Sequence, residues 1–271
     1  MSAKKISEKF PSGEIGEKEA VSYLKKETLY DELLSISKAQ GDRIKPKFRD
    51  LSRLHSIVRE RKCLTVMEFG VGFSTFVIAD ALEKNKAEWS GLETQPELRE
   101  LSPFMLHSVD SGSKWIEATT SILSNRLKDR VRFYDRSVKV GQFNGRLCHF
   151  YEQLPDVVPD FIYIDGPDPV TVIGEVNGQS WRNPARIVMS ADLLAIEPCL
   201  MPGTLVLLDG RTLNARFLAS HLYRNWDISR TPSTDVTAME LCEEPLGELN
   251  AKLMRYQLGN EISDWSEPLE E

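Results

Sequence analysis

TVMEFGVGFSTFVIADAL, residues 65–82, is the stretch that decides the fold. An apolar run ends at Glu68, two glycines follow at Gly70 and Gly72, and a second apolar run begins near Ser74. A strand, a glycine turn and a helix in this order are typical of the ligand-binding corner of an alternating α/β sheet. The acidic residue two positions before the first glycine then needs an explanation.

The rest of the chain alternates between predicted strands and helices. "WDISR" and "VTAMELCEE" are separated only by a turn-rich segment, which is too short for a crossover helix, so these two strands must be antiparallel. The pattern predicts an α/β fold with a doubly wound, mostly parallel seven-stranded sheet, a C-terminal antiparallel hairpin and preceding N-terminal helices. Five predicted strands, CLTVMEFG, AEWSGLE, RVRFYDRSV, PDFIYIDG and GTLVLLDG, end with the acids Glu68, Glu93, Asp135, Asp165 and Asp209.

The organisation along the chain predicts one main domain with an extension at each end. Residues 1–45 read as a helical extension, with helices over about 16–26 and 28–39. Residues 46–245 read as the ligand-binding domain, and residues 246–271 as an acidic C-terminal tail. "RLCHFYEQL" is compatible with either a short strand or a helix.

The acidic edge of the sheet indicates the kind of ligand. Parallel α/β sheets bind ligands at the carboxyl ends of their strands. Glu68 would repel a pyrophosphate, and Thr75 stands where a nicotinamide-binding fingerprint has its third glycine. A cationic nucleoside such as S-adenosylmethionine suits this corner better, because its carboxylate can meet the amides that open the helix. Glu93 would accept hydrogen bonds from the ribose hydroxyls.

These motifs resemble those of class I S-adenosylmethionine-dependent methyltransferases, above all small-molecule O-methyltransferases. "EFGVGFST" resembles the first motif of that superfamily, "GLETQPE" the second, and "PDFIYIDGP" and "GTLVLLDG" strands four and five, across roughly residues 46–245. The resemblance places Glu68, Gly70, Gly72 and Ser74 at the methionine end. It also implies that Asp135, or Ser137, lies near the adenine and that Asp165 borders the cofactor.

The same resemblance implies catalytic roles for Asp165 and Asp209, which follow strands four and five. In related enzymes these carboxylates hold a divalent cation such as Mg²⁺ that activates the acceptor. Gly210 stands where the family has a further Asp or Asn, so the metal ligands remain unknown. A neighbouring arginine or a shared proton are the alternatives for two adjacent carboxylates. His149 is a further candidate base.

The segment after strand four is rich in Gly, Pro and Asn, which favours a substrate-covering loop over a plain surface insertion. The candidate acceptor contacts in and after it are Asp168, Trp181, Arg182 and Arg211. Arg211 would bind an anionic acceptor or pair with Asp165.

The amino-acid composition limits the classes of partner and the compartment expected for this protein. The net charge of −7 disfavours nucleic acid, although residues 1–62 hold 15 Lys and Arg against 10 Asp and Glu. With no long apolar run and no signal-peptide core, we expect a cytoplasmic protein that does not enter membranes. Its four cysteines, in or beside apolar segments, are expected to be buried free thiols.

A small-molecule acceptor, with methyl transfer to a hydroxyl, is the expected function. An RNA methyltransferase, a non-catalytic nucleoside-binding protein and an oxidoreductase are the alternatives. The N-terminal helices are candidates for a homo-oligomer surface or a lid.

Overall fold

The computed structural model describes residues 16–39, 41, 45–100 and 102–259. The helices are α1 (Glu17–Lys26), α2 (Tyr30–Ala39), α3 (Phe48–Glu60), α4 (Phe73–Ser90), α5 (Ser113–Ile122), α6 (Asn125–Lys128), α7 (Asp192–Ile196), α8 (Thr212–Ala219) and α9 (Gly247–Leu258). The strands are β1 (Thr65–Phe69), β2 (Met105–Asp110), β3 (Val131–Asp135), β4 (Val138–Phe143), β5 (Arg146–Tyr151), β6 (Phe161–Ile164), β7 (Val172–Ile173), β8 (Leu205–Asp209), β9 (Trp226–Thr231) and β10 (Val236–Leu241).

The predicted seven-stranded sheet is confirmed. Its strand order is β3-β2-β1-β6-β8-β10-β9, and all neighbours are parallel except β10, which runs antiparallel to both β8 and β9. The strand order reverses direction between β1 and β6, so the switch point lies beside the glycine turn. Four acids therefore share one edge of the sheet: Glu68 next to the end of β1, Asp135 and Asp209 at the ends of β3 and β8, and Asp165 directly after β6.

Alternate residues of each strand enter two separate cores. In β1, Val66 packs on the face covered by α1–α4, whereas Met67 and Phe69 pack on the opposite face. Leu24 and Leu33, from α1 and α2, belong to the first core, so these helices are packed on the domain. The predicted homo-oligomer surface on them stays a prediction.

The predicted strand over residues 87–93 is wrong. Helix α4 continues to Ser90, and Glu93 follows it in an exposed loop. Trp89 keeps the last turn of the helix attached, because its ring packs against Phe104 and Tyr256. The second strand is β2, about fifteen residues later, and Asp110 ends it.

A second sheet, with strand order β5-β4-β7, was not predicted. The segment that was compatible with strand or helix is β5, which forms a hairpin with β4. Asn144 and Gly145 make the turn with φ of 48° and 73°, the left-handed conformation that two-residue hairpin turns require.

Within the acidic tail predicted from residue 246, Gly247–Leu258 form α9. Met254 is buried, and Gln257 donates a hydrogen bond of 2.5 Å to Asp160. Residues 260–271 of the predicted tail lie outside the described residues.

The cysteine prediction holds in part. All four are free thiols, and Cys63 and Cys148 are buried, but Cys199 is exposed. Among the described residues, no helix is both long and apolar enough to cross a bilayer.

Candidate functional site

The glycine turn brings the ends of β1 and β6 into backbone contact. Gly70 has φ of +103°, and a Cβ on Gly166 would lie 2.6 Å from the Gly70 nitrogen. Side chains at these two positions would push the loops apart, so both glycines are needed. The contact also fixes Asp165, whose amide donates to the Phe69 carbonyl at 2.9 Å.

Glu68 is fully buried at the end of β1 and is held by hydroxyl groups. Its Oε2 accepts hydrogen bonds from Thr75 at 2.7 Å and Ser108 at 2.8 Å. Thr75 Oγ1 also accepts from the amide of Gly72 at 3.0 Å, which anchors the start of α4. Thr75, which stands where a nicotinamide-binding fingerprint has its third glycine, is thus a hydrogen-bond donor to Glu68. The sequence did not predict this role.

The other oxygen of the Glu68 carboxylate, Oε1, is buried with no hydrogen-bond partner among the described residues. Burial raises the pKa of Glu68 to about 7, although the nearby Ser74 hydroxyl and the hydrogen bonds from Thr75 and Ser108 favour the anion. A buried carboxylate oxygen without a partner is costly. It is therefore suited to a cationic or hydrogen-bonding ligand at this corner.

Two further carboxylates lie side by side along the same edge. Asp110 and Asp135 are register partners at the ends of β2 and β3. Asp135 accepts a hydrogen bond from Ser113 at 2.6 Å, and Asp110 accepts one from the Gly112 amide at 2.7 Å. Burial raises the pKa of Asp110.

Glu93 does not join these residues. Helix α4 leaves the carboxyl edge of the sheet at its first turn and runs 18 residues back toward the strand N-termini. Glu93 follows the far end of that helix, so the structure places it away from the glycine turn. The acid at the end of the second strand is Asp110, and only the correct position of that strand could have identified it.

Asp165 and Asp209 follow neighbouring parallel strands, β6 and β8. Ile164 and Leu208 are register partners, and each aspartate is the next residue. Burial raises the pKa of Asp209 to about 6, with a further contribution from the Asp50 carboxylate. Partial desolvation also raises the pKa of Asp165, although its side chain is 57% exposed.

Helix α3 contributes charges to this pair that the sequence analysis missed. Arg53 and Lys47 lower the pKa of Asp209, against the effect of Asp50. A cleft of about 310 Å³ lies between Lys47 and Asp50, at the start of α3, and Thr234 in the β9–β10 turn. Within the described residues, no group of three or more His, Cys, Asp or Glu side chains could hold a metal ion.

His149, the further candidate base, is removed from solvent. Its ring is fully buried in β5, and Nε2 accepts a hydrogen bond from the Met189 amide at 3.0 Å. Burial lowers its pKa to about 3, so the ring is neutral near pH 7. Trp181 packs edge-on against it at 5.0 Å and donates its indole N–H to the Ile187 carbonyl, so this tryptophan is part of the wall.

The remaining candidate acceptor contacts divide into two groups. Asp168 caps a short 3₁₀ turn by accepting from the Val170 amide at 3.1 Å, and Arg182 pairs with Glu175 on the surface with its side chain 76% exposed. Arg211 contacts the loop that follows β6. Its guanidinium donates to the main-chain carbonyls of Asp165 and, at 3.3 Å, Pro167.

Several solved structures have a backbone that follows a path similar to that of this chain. The O-methyltransferase TomG of Streptomyces achromogenes, in complex with SAM, is 14% identical with a TM-score of 0.42, over 89% of this chain and 97% of its own. The SAH-bound Podospora anserina methyltransferase PaMTH1 is 13% identical with a TM-score of 0.47, over 88% and 94%. The O-methyltransferase of Bacillus cereus, in complex with SAH, is 13% identical with a TM-score of 0.42, over 89% and 98%.

No protein-family model and no curated protein matches the sequence.

Proposed function

We propose that this protein binds S-adenosylmethionine and transfers its methyl group to a hydroxyl of a small molecule. The observation that carries the proposal is the buried Glu68 carboxylate, which has one oxygen without a partner at a strand–glycine–helix corner. A pyrophosphate would be repelled there, whereas an ammonium or sulfonium would be attracted.

The residues at the edge fit this cofactor. Glu68, Gly70, Gly72 and Ser74 would hold its methionine end. Asp110, in place of Glu93, would accept hydrogen bonds from the ribose hydroxyls. Asp135, or a neighbour, would lie toward the adenine.

S-adenosylmethionine, when bound, supplies an electrophilic methyl group on sulfur. The protein must then orient the acceptor hydroxyl and accept its proton. Asp209 is the better base, because a pKa of about 6 keeps it mainly ionised at pH 7 yet more basic than an ordinary aspartate. Asp165 would orient the acceptor.

Replacing Asp209 with Asn should reduce turnover at least 100-fold. A chelator should leave the turnover of the wild type unchanged if Asp209 acts as a base, and should abolish it if the carboxylates hold a divalent cation. Full activity of both Asp209→Asn and Asp165→Asn would exclude the role of the pair.

The cofactor is tested by calorimetry with S-adenosylhomocysteine and NAD. The first should bind and NAD should not. Asp110→Asn should weaken S-adenosylhomocysteine by roughly 10- to 150-fold, the equivalent of about 1.5–3 kcal/mol for hydrogen bonds to a charged acceptor. Glu93→Gln is the matched control and should bind like the wild type. If the Glu93 variant loses affinity while the Asp110 variant keeps it, the ribose assignment is wrong.

A further inference from the structure

Three buried polar atoms, one of them on Arg211 and two on β5, have no hydrogen-bond partner among the described residues. They are His149 Nδ1, the Tyr151 hydroxyl and Arg211 Nε. Two of them are on β5 and the third directly precedes α8. Buried polar atoms are nearly always paired, so three unpaired ones in one neighbourhood need an explanation.

Each of the three can donate a hydrogen bond. His149 Nε2 already accepts from the Met189 amide, so in the neutral ring the proton is on Nδ1. Arg211 Nε is always protonated, and it lies 3.7 Å from the nearest Asp165 carboxylate oxygen, which is too far for a hydrogen bond. The Tyr151 hydroxyl is also free to donate.

The fold brings these donors to the edge of the site already described. His149 and Tyr151 are alternate residues of one strand, so their side chains share a face. Burial raises the pKa of Tyr151, as do the Asp110 and Asp192 carboxylates, whereas the charge on Arg211 opposes this rise. Burial lowers the pKa of His149, and the Arg211 charge lowers it further. The Tyr151 ring stacks at 5.6 Å on Phe69, the last residue of β1.

We propose that His149, Tyr151 and Arg211 bind a carboxylate of the methyl acceptor, which is therefore a hydroxy acid. The proposal rests on the proposed function. One cation and two neutral donors match the lone pairs of a carboxylate. The Asp165 carboxylate would repel a second anion, so the hydroxyl end of the acceptor must face Asp165. Trp181 packs edge-on against His149 at 5.0 Å, so its ring borders the same group of donors.

The test is calorimetry with matched pairs of probes in the presence of saturating S-adenosylhomocysteine. The pairs are 4-hydroxybenzoate with 4-hydroxybenzamide, and 3-hydroxybutyrate with 3-hydroxybutyramide. The wild type should prefer at least one carboxylate over its amide by 10-fold or more. Tyr151→Phe and Arg211→Lys should each reduce that preference to less than 3-fold. Arg146→Gln, at the exposed start of the same strand, should leave it unchanged.

A wild type without preference for either carboxylate overturns the proposal, as does a preference that survives in both variants. Nitrogen NMR of labelled histidines gives a second readout that does not depend on a variant that folds. The His149 Nδ1–H signal should move with the preferred carboxylate and stay unchanged with its amide. A signal that neither probe moves indicates that only water occupies the donors. Failure of S-adenosylhomocysteine to bind refutes the proposed function separately, since the carboxylate preference can then be measured without it.

Discussion

Two buried carboxylates, Asp80 in α4 and Glu68 in β1, are treated in opposite ways by the same fold. Both side chains are almost fully removed from water. Burial favours the protonated form of each, yet the pKa of Glu68 rises to about 7 while that of Asp80 falls below its ordinary value. The difference lies in the partners, and it separates a structural carboxylate from one that is available to a ligand.

Asp80 is saturated by cations and an imidazole. Its Oδ2 lies 2.8 Å from Lys84 Nζ and 3.1 Å from His55 Nε2, and Oδ1 accepts from Arg126 at 2.5 Å. His55 is neutral because burial lowers its pKa, so its Nε2 donates and its Nδ1 accepts from the Tyr23 hydroxyl at 2.7 Å. The network joins α1 and α3 to α4. Both carboxylate oxygens of Asp80 already have partners within the protein.

The largest effect is expected when the saturated carboxylate loses its charge. Asp80→Asn should reduce the free energy of unfolding by roughly 3–5 kcal/mol, because it leaves buried donors uncompensated. Urea denaturation measures the change. The exposed Asp129→Asn is the control and should stay within about 0.5 kcal/mol of the wild type. A similar small change for Asp80→Asn would show that its ion pairs contribute little.

A smaller loss is expected at the other end of the same network. Tyr23→Phe removes one hydroxyl and leaves His55 Nδ1 without its donor, so we expect a loss of about 1–3 kcal/mol. The same denaturation experiment detects it. Combined with Asp80→Asn, the two losses should be non-additive, since both residues act through one imidazole. Strict additivity would mean that the network is not a unit.

The smallest effect on stability is expected for Glu68→Gln. The pKa of Glu68 is raised on folding, so its contribution is fully present below pH 4.5 and is lost as the pH rises through about 7. The variant has no charge to bury, and at pH 8 it should be no less stable than the wild type. Thermal unfolding between pH 5 and 8 should show a steeper decline for the wild type. Parallel curves would mean that Glu68 is ionised without penalty.

Sequence alone located Glu68 because local patterns suffice there. An apolar strand, two glycines and an apolar start to a helix all lie within 18 residues. Asp110 was missed because β2 does not look like a strand. Its His107 and Ser108 are polar, and they are buried only because Tyr134 and Glu68 provide hydrogen-bond partners from other strands. Such pairing is invisible without the fold.

The small sheet was missed for a different reason. The Asn144–Gly145 pair is a strong hairpin signal and was available in the sequence. The segment that follows it, RLCHFYEQL, is nevertheless compatible with both a strand and a helix. In contrast, the approach of Asp50 and Arg53 to Asp209 joins residues more than 150 positions apart, and no local pattern could have predicted it.

The most direct test of the difference between the two carboxylates is calorimetric titration of the wild type, Asp80→Asn and Glu68→Gln with S-adenosylhomocysteine at pH 8. The account predicts that the wild type binds and that Asp80→Asn, measured where it remains folded, binds within 3-fold of it. Glu68→Gln, although no less stable, should bind at least 10-fold more weakly. Wild-type affinity in Glu68→Gln would contradict the assignment of the unpartnered carboxylate to the ligand.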